Sequence, residues 1–107
     1  MKNEDDQATR VVISGIGVVS PIGNGVNRFW DAALSGKSGI SDIRSFDTAA
    51  FRTHRGGEVD MDALAAAVPE EPLPETAGKG ALFAITAAKM AIADSGIDLK
   101  SVPPTRI

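Results

Sequence analysis

No cysteine occurs anywhere in these 107 residues. That excludes disulfides, thiolate metal sites and a cysteine nucleophile within the stretch. Histidine appears once, as His54, so imidazole pairs for metal binding or acid–base relays are excluded as well. Aromatic residues make up only 5% of the chain. Lys and Arg (11) are outnumbered by Asp and Glu (14), for a formal net charge of −3. Nucleic acid is a poor fit as main partner, because phosphate neutralisation needs clustered basic residues. No apolar run approaches the roughly 18 residues of a membrane span. The start, MKNEDDQATR, lacks the basic and apolar regions of a secretory signal. A cytoplasmic location is the expectation.

What is present is an ordinary globular balance, 43% hydrophobic and 23% charged. It fits one domain at most. Residues 1–9 are polar and acidic, and are expected to form a disordered tail. The stretch at 11–34, VVISGIGVVSPIGNGVNRFWDAAL, organises the rest of the chain. Val11, Val12 and Ile13 suit a buried strand, expected over residues 10–19. Gly15 and Gly17 mark a bulge or a close backbone approach in its second half. Ser20, Pro21, Gly23, Asn24 and Gly25 form a turn, with Asn24 as expected N-cap. Val26, Phe29, Trp30, Ala33 and Leu34 then recur at helical spacing, so a helix runs to about Ser35. Gly36 stands where a left-handed residue ends it. Phe29 and Trp30 are expected in the core.

Residues 38–43 read as loop, with Ile40, Ile43 and Phe46 pinned to the core. Asp47 caps a single turn over residues 48–51, and residues 52–57 (RTHRGG) form a polar loop. Glu58, Val59 and Asp60 are too short a stretch to assign. Met61, Leu64, Ala65 and Val68 share one face of a short helix that Pro69 ends. PEEPLPE, residues 69–75, is an exposed loop. The longest element is a helix over residues 77–95, stopped by Gly96. From Ala81 it is apolar around most of its circumference, a run broken only by Thr86, Lys89 and Asp94. Such a helix is walled on several sides. Arg106 and Ile107 resemble the entry to another strand.

One strand cannot pair its own backbone groups, and the long helix needs walls that these residues do not supply. The expectation is the opening segment of a larger α/β domain, with dimerisation of a small domain as the alternative. Gly15-x-Gly17-x-x-Ser20 is a near miss for a dinucleotide fingerprint. Ser20-Pro21 stands where the third glycine belongs, and the helix starts too late to face a pyrophosphate. Tight backbone packing is favoured over an NAD or FAD site. His54 reads as a solvated loop residue beside Arg52 and Arg55. Ser14, Ser20, Ser35, Ser38 and Ser41 have no neighbouring acid or base and no nucleophile elbow. Glu70, Glu71 and Glu75 read as a solvated cluster. No catalytic, cofactor-binding or metal-ligating residue is assigned.

The string R-V-V-I-x-G-x-G-V-V-S-P-I-G (residues 10–23), Trp30, G-K-S-G-I (residues 36–40) and Phe46-Asp47 resemble the N-terminal segment of β-ketoacyl-(acyl-carrier-protein) synthases and polyketide ketosynthase domains. Gly57-Glu58-Val59, Asp94-Ser95-Gly96 and Thr105-Arg106-Ile107 fit the same pattern. The resemblance covers nearly all of residues 10–107. It implies an incomplete N-terminal part of a thiolase-like α/β fold, truncated before the catalytic residues, from an enzyme paired as a homodimer or heterodimer. It implies decarboxylative Claisen condensation in fatty-acid or polyketide synthesis by a Cys and two His, with a supporting Lys, all lying downstream. It implies acyl carrier protein as partner, its phosphopantetheine arm presenting the substrate, and no metal or redox cofactor. Two places depart from the family. Gly78-Lys79-Gly80 replaces an Asp-Arg pair, and PEEPLPE replaces basic residues near the carrier-docking region. Acid facing an acidic carrier slows encounter. A non-catalytic partner subunit of chain-length-factor type is therefore the alternative reading.

Overall fold

A computed structural model describes residues 10–67 and 76–106. In chain order the elements are α1 (Val26–Leu34), β1 (Ile40–Asp42), β2 (Arg55–Gly57), α2 (Met61–Ala67) and α3 (Lys79–Ser95). Two short 3-10 turns come after α3, Leu99–Ser101 and Pro104–Arg106.

Residues 10–19 carry no ladder partner among the described residues, so the strand expected there is not formed. Val11, Val12 and Ile13 stand open to solvent, Val11 at 93% of its full exposure. The β-branched composition is right for a strand, but a ladder requires a neighbour. What the segment does have is α3. A side-chain carbon on Gly15 would come within 2.7 Å of the Ser95 amide nitrogen, and one on Gly17 within 2.8 Å of the Ala91 nitrogen. Both would also collide with carbonyl oxygens of α3, those of Ala91 and Ala87. Ala87, Ala91 and Ser95 are four residues apart and so share one helix face. Small residues on the helix and glycines on the segment bring backbone against backbone. Between the two glycines the Ile16 N–H donates to Asp94 Oδ2 at 2.9 Å.

The turn at residues 20–25 closes on itself. The Gly25 N–H donates to the Val18 carbonyl at 2.8 Å, and the Ser20 hydroxyl to the Gly23 carbonyl at 2.6 Å. Asn24 is buried but is not the N-cap; Gly25 is. The Asn24 Oδ1 instead accepts the Ser20 N–H at 3.3 Å, binding backward into the turn rather than forward into the helix. α1 forms as its periodicity predicts and ends at Ser35, with Gly36 left-handed at φ 69°. Its packing differs from expectation. Ala32 is the buried residue, Phe29 is half-buried, and Trp30 keeps 59% of its exposure. No described element covers the Trp30 and Leu34 side of the helix.

The two stretches read as loops contain a short antiparallel pair. Ile40 lies opposite Gly57, Ser41 opposite Gly56 and Asp42 opposite Arg55. Its pairing is non-local and both strands are three residues long, too short for period-two alternation to register. Ile43 is half-buried as expected, whereas Ile40 and Phe46 are exposed rather than pinned to the core. The pair rests on the preceding turn. A side-chain carbon on Gly39 would fall 2.6 Å from Pro21 Cβ, and one on Gly57 2.9 Å from Pro21 Cγ. The single turn after Asp47 is present: the Phe51 N–H donates to the Thr48 carbonyl at 2.9 Å, and the Ala49 N–H to Asp47 Oδ1 at 2.9 Å.

Asp60 precedes α2 and caps it, with Oδ1 accepting the N–H groups of Asp62 and Ala63 at 3.0 Å each. Leu64 is the helix's anchor, only 2% exposed. Val68 and Pro69, assigned to the end of this helix, lie outside the described residues, as do residues 1–9, the PEEPLPE loop and Ile107. α3 starts at Lys79, two residues later than expected, and stops at Gly96 with φ 67°. Its most buried residue is Thr86, 1% exposed, one of the residues that breaks the apolar run. Within the described residues one side is packed, while Ile85 and Ile92 stay open. The strand expected to begin at Arg106 is instead the last residue of a 3-10 turn.

Gly80 lies inside α3, where a side-chain carbon would meet nothing within 4 Å. Gly80→Ala is expected to stabilise the protein by up to about 0.5 kcal/mol, read as a higher urea midpoint, because glycine loses more backbone entropy than alanine on entering a helix and Gly80 stands in the first turn.

Candidate functional site

Among the described residues, the structure places His54, Ser20, Ser35 and Ser38 on local partners. His54 is exposed, and its Nδ1 lies 2.9 Å from the Thr48 hydroxyl. Among the described residues no three His, Asp or Glu side chains gather as a metal site. Ser20 and Ser35 spend their hydroxyls on backbone carbonyls within their own turns. Ser38 accepts the Ile40 N–H at 3.2 Å. The glycines of the near-miss dinucleotide pattern are occupied by α3, which leaves no room for a pyrophosphate at Gly15 and Gly17. Among the described residues no helix is long and apolar enough to cross a membrane.

A cleft of about 380 Å³ lies between the β1–β2 hairpin and the start of α3. Ile43, Phe46, Val59, Met61 and Phe83 give it an apolar lining, with Lys79 and Glu58 as its charged groups. Phe46 and Phe51 pack edge to face, ring centres 5.9 Å apart and planes at 80°. Glu58 is the residue that sequence reading missed. Its Oε2 accepts the Arg44 N–H and its Oε1 the Ser45 N–H, both at 3.0 Å. One carboxylate thus holds two consecutive amides 13 and 14 residues upstream. Only the presence of Glu58 in the Gly-Glu-Val string hinted at a role, since nothing local in the sequence points to its partners.

Bonding from the Ser45 hydroxyl and from the Arg44 and Ser45 amides, with the Lys79 ammonium nearby, holds the Glu58 carboxyl below the ordinary glutamate range. A lowered folded-state value means the contribution is present above the ordinary value and lost as pH falls through the lowered one. The hairpin's attachment is therefore expected to survive mild acid and to release only below the ordinary glutamate range. Carboxylate infrared or NMR titration of Glu58 in the full-length protein checks this; an unshifted or raised midpoint contradicts it.

These features define a partial α/β fold: a glycine-bearing segment laid on a small-residue helix, a closed turn and a hairpin. The chain belongs to the β-ketoacyl synthase N-terminal domain family, whose model matches residues 8–107. It is 37% identical over 98 residues to the granaticin polyketide putative β-ketoacyl synthase 1 of Streptomyces violaceoruber, covering 92% of this chain and 23% of that protein. It is 39% identical over 98 residues to the 3-oxoacyl-[acyl-carrier-protein] synthase 2 of Coxiella burnetii, with the same coverage of both. The fold superposes on the ishigamide ketosynthase/chain length factor with a TM-score of 0.71 at 32% identity, over 85% of this chain and 22% of that one. The α/β fold is thus the N-terminal part of a ketosynthase, thiolase-like fold. The chain spans less than a quarter of the length of these relatives.

Proposed function

We propose that the protein to which these residues belong is a β-ketoacyl synthase. It condenses an acyl thioester with malonyl-carrier protein in polyketide or fatty-acid synthesis. In this reading a cysteine thiolate takes the acyl chain as a thioester. Loss of CO2 from the malonyl thioester leaves an enolate, whose carbon attacks the acyl carbonyl. A carbon–carbon bond forms and the thiolate leaves. Two histidines stabilise the developing negative charge. The substrates ride on the carrier's phosphopantetheine arm, and the carbon chemistry uses no metal or redox cofactor. The protein works in the cytoplasm as a dimer of ketosynthase subunits. Residues 10–107 serve as scaffold and are inactive by themselves. The observation that carries this reading is the unbroken family match through the Gly15–Gly17 seam, the turn, the hairpin and α3.

Full-length protein supplied with acyl- and malonyl-carrier protein is expected to release CO2 and form a 3-oxoacyl product, while residues 1–107 alone give no turnover. Turnover by the isolated residues would refute the scaffold role. The second reading, a non-catalytic chain-length-factor subunit, is favoured by the likeness to a ketosynthase/chain length factor and by the acidic PEEPLPE stretch. It requires a full-length protein that is inactive alone yet copurifies with an active ketosynthase.

A further inference from the structure

We propose that Glu58 is a latch that sets the wall of the 380 Å³ cleft by fastening the hairpin loop, independently of which ketosynthase role the protein fills. The loop between β1 and β2 is 12 residues long, residues 43–54, and few bonds tie it to the rest of the described residues. At its base the Ile43 N–H pairs with the His54 carbonyl at 2.9 Å. Its remaining polar bonds, Asp47 to Ala49, Thr48 to Phe51 and Thr48 to His54, lie inside the loop and do not fix where it sits. The carboxylate of Glu58, beyond β2, is the contact that does. It seizes Arg44 and Ser45, and the next residue is Phe46, which lines the cleft and braces Phe51.

The geometry is specific to a two-oxygen acceptor of this length. Two adjacent amides point at two oxygens of one group, each bond charge-assisted and so stronger than a neutral pair. Glutamine would keep one acceptor and turn an NH2 toward the other amide. Aspartate, one methylene shorter, would not reach both. Lys79 of α3 faces the same cleft with a positive charge, which favours the ionised carboxylate. The carboxylate thus stands between the loop it holds and the charge at the start of α3. Releasing it frees Phe46 to leave the wall and widens the cleft.

The test is amide hydrogen exchange of the full-length protein at neutral pH, comparing wild type with Glu58→Ala, Glu58→Gln and Glu58→Asp. Exchange at Arg44 and Ser45 is expected to rise about 10-fold or more in Glu58→Ala, less in Glu58→Gln, with α1 and α3 unchanged. Unchanged exchange at Arg44 and Ser45 in Glu58→Ala would overturn the proposal. So would an equal rise throughout the protein, which would make Glu58 a general structural residue. If Glu58→Ala fails to fold, Glu58→Gln decides: a rise confined to residues 43–51 supports the latch, and none refutes it.

Discussion

Gly17→Val is expected to cost the full-length protein about 3 kcal/mol or more, seen as a large drop in urea midpoint or as failure to accumulate in soluble form. Overpacking a tight site costs about 1–3 kcal/mol when neighbouring side chains can move aside. Here they cannot. The atoms met are the Ala87 carbonyl and the Ala91 amide, main-chain groups committed to the hydrogen bonds of α3. Relief requires lifting the whole segment off the helix, which also strains the Ile16–Asp94 bond. Gly15→Val is expected to behave alike, since it meets the Ala91 carbonyl and Ser95. The double variant should cost less than the sum, because one displacement relieves both collisions. A Gly17→Val midpoint within about 0.5 kcal/mol of wild type would show that the seam is not close-packed.

Leu64→Ala is the second large effect expected, about 2–5 kcal/mol. At 2% exposure Leu64 is the most enclosed apolar side chain among the described residues, on a helix of only seven. So short a helix has little stability of its own. Asp60 holds its first turn and Leu64 its tertiary position. Removing the leucine takes away the burial term and leaves a void. Leu64→Met, nearly equal in volume, should cost less than about 1.5 kcal/mol. Denaturant midpoints for the pair separate cavity formation from mere change of residue. A Leu64→Ala value no larger than that of Leu64→Met would contradict the anchoring role.

The helices and their stops were legible because their signals are local. The apolar spacing of α1, the glycines that end α1 and α3, and the Asp47 turn are each written within a few residues. The same holds for the resemblance, whose strings span the chain in order and whose family is the one found. Other features depend on what comes near in space. Val11–Val12–Ile13 reads as a strand but has no described partner to pair with. Trp30 reads as core but faces a side that no described element covers. Asn24 has the chemistry of an N-cap, yet its oxygen is claimed by Ser20 four residues earlier. The β1–β2 pair and the Glu58 bonds join residues some 13 to 17 apart, beyond the reach of periodicity. Thr86 is buried because of where its face lies on α3, whatever its polarity.

The bond between Ile16 and Asp94 spans 78 residues of sequence. During translation at about 5–20 residues per second, the glycine segment must wait about 4–16 s for its helix to emerge from the ribosome. Val11, Val12 and Ile13 travel uncovered from the start and stay open to solvent once α3 is in place, a sticky β-branched run on the nascent chain. Cotranslational chaperones would find an early task in this protein there, and the acidic residues just ahead, Glu4, Asp5 and Asp6, are placed to keep such chains apart.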